Sequence, residues 1–487
     1  MPRIRLLLLA VILVSCAPAT PAITGTLFPT HSTPIPSPTP LGPPPTPICG
    51  GISPAPPNYN LDLALDYTGH TAEVSEAIRI VNSTGEAWPD LTLAVSANDA
   101  TGVFDLHGLT VDDYPAEFVL EGVWLRIVLP APLQPGCEIE IGANYALNLP
   151  RLGPSAFGWR GALGWTPRQT LLGLWYPTLA PYRPGVGWLA HPPAEQGEFE
   201  TTDASAISLK MRLTGKKIDL AVVGSAAAKP CGESTCFDLK AARHFALALS
   251  DEMETATTTA GDATVTAMYF SEHSAAGKAA LQTARYAFVV FTDRFGAVPY
   301  KSLSVVEADI VDGMEFSGMF FLGRPYYADF DGSAQNYLTL IAAHETAHQW
   351  WYCLVGNDPA TEPWLDEALA TYSEEIYFET AYPNLAQWWW QYRVWQFAPQ
   401  GRVDGDIYAS REFRPYVNAV YLNGAQFLHA LRGELGDETF FDFLREYAAS
   451  EAGRVATADD FWRAYSKFGD ANGSAARRTF FVPTPTP

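Results

Sequence analysis

His344, Glu345 and His348, in the stretch HETAHQWW, are the residues of this chain best placed by type and spacing to do chemistry together. Two histidines four apart share one face of a helix, so both imidazoles can reach a single metal ion. A glutamate next to the first histidine lies beside that face, near enough to take a proton from a water at the metal. A hydrolytic zinc site needs a third protein ligand and one open position. Eighteen residues separate His348 from Glu367, which opens the next amphipathic segment in EPWLDEALATY. Glu367 can close a two-histidine, one-carboxylate site. Glu362 and Asp366 are rivals by spacing, although a neighbour on a helix points about 100° away. Two imidazoles, a carboxylate and an open corner suit Zn2+.

HETAHQWW, the gap of eighteen and WLDEALATY together resemble the zinc motif of the aminopeptidase N and leukotriene hydrolase family of gluzincin metallopeptidases, here in a short bacterial lipoprotein form. That family carries HExxH, eighteen residues, then E within W-L-N-E-G. Gly313-Met314-Glu315 stands where the family has its G-A-M-E-N exopeptidase motif, and PYVNAVYLNGAQFLHAL is similar to a downstream segment bearing a tyrosine. The resemblance covers roughly residues 58 to 470. It implies that His344, His348 and Glu367 hold one catalytic zinc ion and that Glu345 is the general base. It makes Tyr421 the hydrogen-bond donor to the tetrahedral oxyanion. Tyr416 matches a second tyrosine of some members or is a core residue. Glu315, flanked by Gly313 and Met314, would capture the free amino group of a peptide. Asp312 and Phe316 depart from the family motif and are expected to reshape that subsite. The implied function is a zinc-dependent metallopeptidase, foremost an aminopeptidase acting on extracytoplasmic peptides. An endopeptidase or other zinc hydrolase on the same scaffold, or a non-catalytic surface binding protein, are the alternatives.

The elements that must position these residues follow from hydrophobic periodicity. Residues 58–270 read as strands between Gly, Pro, Asp and Asn turns, which predicts an antiparallel β domain of sandwich or saddle type. Within it, residues 157–188 read as a long packed loop. SAAGKAALQTARYAFVVFTDRF has helical spacing and stops at Gly296. KSLSVVEAD is a strand, and VDGMEFSGMFFLG is a glycine-punctuated strand or edge segment. Helices are expected over 335–353, 364–381, 384–397, 418–436, 438–449 and 457–467. The fold class is therefore α+β and multidomain, the β domain preceding a small sheet plus helices over 271–475, which the resemblance makes thermolysin-like. Residues 476–487 read as a polar tail. Trp388, Trp389 and Trp390 are expected to pack a helix or cleft wall, and His429 to be structural. Asp358 is expected either to orient a zinc histidine or to cap a loop.

The N-terminus serves location. Residues 1–16, MPRIRLLLLAVILVSC, combine two arginines, a short apolar run and a small-residue cleavage site, which reads as a secretory signal. LVSC resembles the bacterial lipobox, which would leave a lipid-anchored Cys16 holding the protein on the outer face of a membrane. Residues 17–57 are Pro- and Thr-rich, an extended tether that builds no core. Export permits disulfides. Cys231 and Cys236 are close enough to pin a hairpin, Cys49 and Cys137 could pair, and Cys353 reads as a buried thiol. A net charge of −22 speaks against nucleic acid or an anionic bilayer as the main partner; the partners implied by the two resemblances are peptide substrates and a membrane reached through the lipid anchor.

Overall fold

Strands Asn58–Asp66, Thr71–Val81 and Cys137–Asn148 alternate buried and exposed residues, the period of two that a half-buried strand imposes. The computed structural model, which describes residues 48–50, 55–215 and 220–481, pairs them side by side in a large sheet. Its order is Lys229–Cys231, Ser234–Ala242, Ser205–Thr214, Asn58–Asp66, Thr71–Val81, Cys137–Asn148, Phe104–Val111 and Tyr114–Pro115. Pairing is antiparallel except between Ser205–Thr214 and Asn58–Asp66. That parallel contact corrects the purely antiparallel expectation. The chain reaches it through the long excursion of residues 67–204, and a parallel pair requires such a crossover.

The stretch 157–188 is more ordered than a packed loop. Leu163–Thr166 and Gln169–Leu172 form a hairpin whose second strand pairs with Leu247–Ser250. Residues 169–181 are all buried, so the alternation that betrays a strand is missing from the sequence.

A second, five-stranded sheet has the spatial order Met253–Ala260, Ala263–Phe270, Ser302–Ala308, Met319–Gly323, Gly313–Phe316. Its first two strands fall in the span expected for the β domain. Parallel pairing of Ala263–Phe270 with Ser302–Ala308 places them here instead. A hairpin reads alike whichever sheet it joins; only the crossover helix Ser274–Phe295, which ends on Gly296 at φ 95°, reveals the partner. Gly313–Phe316 is left as an edge strand.

Helix Tyr337–Ala347 is buried from Leu338 onward, and the Asn336 side chain caps it by accepting from the Thr339 N–H at 3.0 Å. It packs against Ser274–Phe295 and Trp364–Ala381. Helix Trp364–Ala381 is itself buried from Trp364 through Phe378. Two segments expected as plain α-helix contain π turns, Trp390–Val394 and Asn418–Leu422, each re-aiming side chains by an inserted residue. The expected tail is also corrected. Ala475–Phe481 is a helix, and Phe481 packs 5.0 Å from Trp364 and 4.7 Å from Phe427, because two adjacent phenylalanines bury more surface folded than free.

Cys231–Cys236 closes its hairpin and Cys49–Cys137 ties the short N-terminal strand to the large sheet. Cys353 is a buried free thiol. Among the described residues no helix is long and apolar enough to cross a membrane. The signal, Cys16 and residues 17–47 and 51–54 of the tether lie outside the described residues, as do 482–487.

Candidate metal centre and cleft

Helix periodicity puts His344 and His348 one turn apart, and packing brings Glu367 over them from the next helix. The two Nε2 atoms are 3.1 Å apart, and Glu367 Oε2 lies 3.3 Å from His344 Nε2 and 3.7 Å from His348 Nε2. Donors held tetrahedrally by bonds of about 2.1 Å sit roughly 3.4 Å apart, so this buried triangle fits a zinc ion. The rivals point elsewhere. Asp366 Oδ1 accepts from the Glu367 N–H at 2.7 Å, and Glu362 Oε1 accepts from the Ala458 N–H at 2.9 Å.

Each imidazole is fixed by its other nitrogen. His348 Nδ1–H donates to the Trp351 carbonyl at 2.9 Å, and His344 Nδ1–H donates to Glu374 Oε1 at 3.0 Å. Both Nε2 lone pairs therefore face the triangle. Burial lowers His344, but hydrogen bonds to Glu367 and Glu374 outweigh it and lift the pKa to about 10. The carboxylates thus favour positive charge at this spot. Burial lowers His348 to about 4, which keeps it a neutral donor. Glu374 is itself gripped by Arg393, with Nε–Oε2 and Nη2–Oε1 both at 2.9 Å, and by the Trp389 indole N–H at 3.0 Å. The π turn Trp390–Val394 delivers Arg393 to this position.

The triangle lines a cleft of about 940 Å3. Glu345 stands on its wall, buried, with Oε2 lacking any hydrogen-bond partner among the described residues. Burial first, and then the surrounding carboxylates, raise its pKa well above the ordinary carboxylate range. One oxygen from each of Glu198, Glu315 and Glu367 lies within 4.8 Å of the others. Burial, followed by neighbouring acids, raises Glu315 strongly and Glu198 to about 7. Such crowding of buried acids suits cations, a metal on one side and an ammonium on the other.

Gly313 is required by close approach. A Cβ there would sit 1.9 Å from Glu345 Oε1. Gly313→Ala should therefore displace the carboxylate and lower kcat about 10²-fold while leaving zinc content near one per chain, read by steady-state kinetics and elemental analysis.

The remaining expected residues separate. Tyr421, aimed inward by the π turn Asn418–Leu422, lines the cleft with its ring 6.1 Å from that of His344. Burial and then Glu367 raise its phenol well above the usual value, so it remains a donor. Tyr416 lies buried behind it, ring centroids 5.7 Å apart, packed on Gly197 rather than on the cleft surface. Met314 is buried beside Glu315. Asp312 lines the cleft and accepts from the Tyr326 hydroxyl. Phe316 does not reshape the subsite. Its ring is fully buried against Gly173 and Phe321, because alternation along the strand turns it opposite to Glu315.

Asp358 pairs with His191 at 2.9 Å, not with a zinc histidine; Glu374 holds the orienting position. Sequence reasoning missed Glu374, Arg393 and Glu198. Glu374 had a usable signal, since it stands seven residues, two helical turns, after Glu367 on one face. Trp389 and Trp390 are buried and His429 contacts Tyr372 and Trp390, all structural as expected.

Residues 287–478 match the family model described as Peptidase family M1 domain. Among curated proteins, Aminopeptidase M1-A of Oryza sativa subsp. japonica is 29% identical over 207 residues, 39% of this chain and 24% of that protein. Human Aminopeptidase O is 28% identical over 24% of this chain and 18% of its own length. The chain thus spans about a quarter or less of these relatives. In fold it is similar to an M1 zinc metallopeptidase mutant from Deinococcus radiodurans bound to a Tyr-Ser-Ala substrate. The TM-score is 0.60 at 17% identity, covering 90% of this chain and 98% of that one.

Proposed function

We propose, for a chain whose residues 287–478 match the peptidase family M1 domain, that it is a zinc-dependent aminopeptidase removing N-terminal residues from peptides. The observation that carries this reading is the placement of Glu198 and Glu315 beside the His344–His348–Glu367 triangle. Two acids next to the hydrolytic centre pair with a substrate's α-ammonium and fix the register at the first peptide bond.

Bound by His344, His348 and Glu367, zinc would supply Lewis acidity, activating water and polarising the scissile carbonyl. The chain's own groups do the rest. Glu345 takes a proton from the attacking water and returns it to the leaving amine. The Tyr421 hydroxyl donates to the oxygen that gains charge as the carbonyl becomes tetrahedral. Among the described residues the edge strand Gly313–Phe316 pairs with a strand on one side only, which leaves the other for an extended peptide. Hydrolysis of aminoacyl-coumarins with free and acetylated amino groups tests the reading. Free substrates should be favoured at least 100-fold, and Glu315→Gln should erase most of that preference. Faster cleavage of acetylated substrates, unchanged by Glu315→Gln, would support an endopeptidase instead.

The same proposal places the enzyme outside the cytoplasm, held by a lipid on Cys16 through the tether of residues 17–57. The lipobox-like LVSC and the Pro/Thr-rich composition support it. In a bacterial host, the wild-type protein should sediment with membranes and incorporate a palmitate probe. Cys16→Ser should lose the probe, and persistence of labelling would overturn the assignment.

A further inference from the structure

Glu198 and Glu315 face the substrate cleft on one side and a small cavity on the other. That cavity, about 10 Å3, has room for one water-sized group. Trp159, Leu174, Phe199 and Met314 wall it; Glu200, His244 and Tyr352 supply its polar atoms. His244 is 2% exposed. Its Nδ1 is paired with the Tyr352 hydroxyl, while Nε2 has no hydrogen-bond partner among the described residues. The nearest carboxylate oxygen, Glu200 Oε1, lies 3.9 Å away, too far to satisfy it. A buried imidazole nitrogen without a partner is costly and calls for an occupant. Tyr352 adds a second sign. It holds φ at 113°, a backbone conformation disfavoured for any side chain, and its hydroxyl is what orients His244.

We infer that this cavity receives the hydroxyl group of the substrate's first side chain and so selects serine or threonine, whose carbon atoms stay beside the two acids that line both spaces. The inference rests on the aminopeptidase reading, because the two acids that anchor the α-ammonium line both the cleft and this cavity. A single oxygen can lie about 2.8 Å from both His244 Nε2 and Glu200 Oε1, since the two are less than twice that distance apart. A hydroxyl accepts from His244 Nε2–H while donating to the Glu200 carboxylate, or donates to a bare Nε2 while accepting from a protonated Glu200. Burial, then Arg243, lowers His244 to about 3 and keeps it neutral, and burial raises Glu200 to about 7. An aliphatic side chain leaves His244 Nε2 unpaired, and lysine, arginine or phenylalanine exceeds the space.

Isosteric pairs test this. The wild-type enzyme should show kcat/KM at least tenfold higher for threonyl- than valyl-coumarin and for seryl- than alanyl-coumarin. In parallel, zinc-loaded Glu345→Gln should bind L-threonine at least tenfold more tightly than L-valine by calorimetry. His244→Leu should bring both ratios close to one. Hydrolysis with ratios near or below one in the wild type overturns the selectivity and leaves the aminopeptidase standing. Absence of hydrolysis on all four substrates, with threonine still bound preferentially, upholds the cavity and removes the aminopeptidase reading. Neither hydrolysis nor preference overturns both.

Discussion

Glu345→Gln is expected to keep the zinc and lower kcat by about 10⁴-fold, the upper end for removal of a positioned general base. The expectation follows from what Glu345 touches. It is not one of the three converging donors, so metal content should stay near one ion per chain by elemental analysis. Its Oε2 has no partner among the described residues, so the isosteric amide breaks no hydrogen bond that holds the fold. Crowding by burial and by the nearby acids makes that carboxyl an avid proton acceptor when ionised, a property the amide lacks entirely. KM should change little, because Glu198 and Glu315 still hold the substrate's amino end. Retained zinc with activity within tenfold of wild type would remove Glu345 from the mechanism. Loss of the metal would show instead that it helps to build the site.

Glu374→Ala is expected to weaken zinc binding by about 10- to 100-fold and to destabilise the fold by about 3–5 kcal/mol. Two separate consequences share one residue. His344 loses the acceptor that sets its tautomer and ring orientation, and Arg393 becomes a buried guanidinium without its carboxylate. The double variant Glu374→Leu, Arg393→Met separates them. Replacing both halves of a buried pair with apolar groups restores most of the stability, but it leaves His344 Nδ1 without its acceptor. Urea unfolding of the metal-free protein should thus recover toward wild type, while competition with a chelator still reports weak zinc. Wild-type zinc affinity in the double variant would show that Glu374 merely neutralises Arg393.

The order of β strands and helices was legible because burial imposes periods of two and 3.6 on the residues that form them. The crossover helix ending at Gly296 and the helix Trp364–Ala381 came out with the bounds read from the sequence. Failures arose where burial is not periodic or where an insertion changes the period. Residues 169–181 are buried on all sides, so their hairpin looked like a loop. The π turns at Trp390–Val394 and Asn418–Leu422 leave hydrophobic spacing nearly intact while rotating the side chains that follow. Phe316 was read as a subsite residue from its place in the motif, whereas strand alternation sends it into the core.

The sequence by itself determined the reactive set: two imidazoles and a base on one helix, and a third ligand opening the next. The first relation is local, fixed by the rise and twist of a helix, so spacing is enough to state it; the choice of Glu367 over Glu362 and Asp366 came from the resemblance. Only the tertiary structure decided that Glu374 and Arg393 steady His344, that Glu198 joins Glu315 across the cleft, and that His244 meets Tyr352. These groups come from segments 19 to 117 residues apart. Their meeting depends on how whole layers pack, and the hydrophobic effect that drives such packing carries no direction of its own.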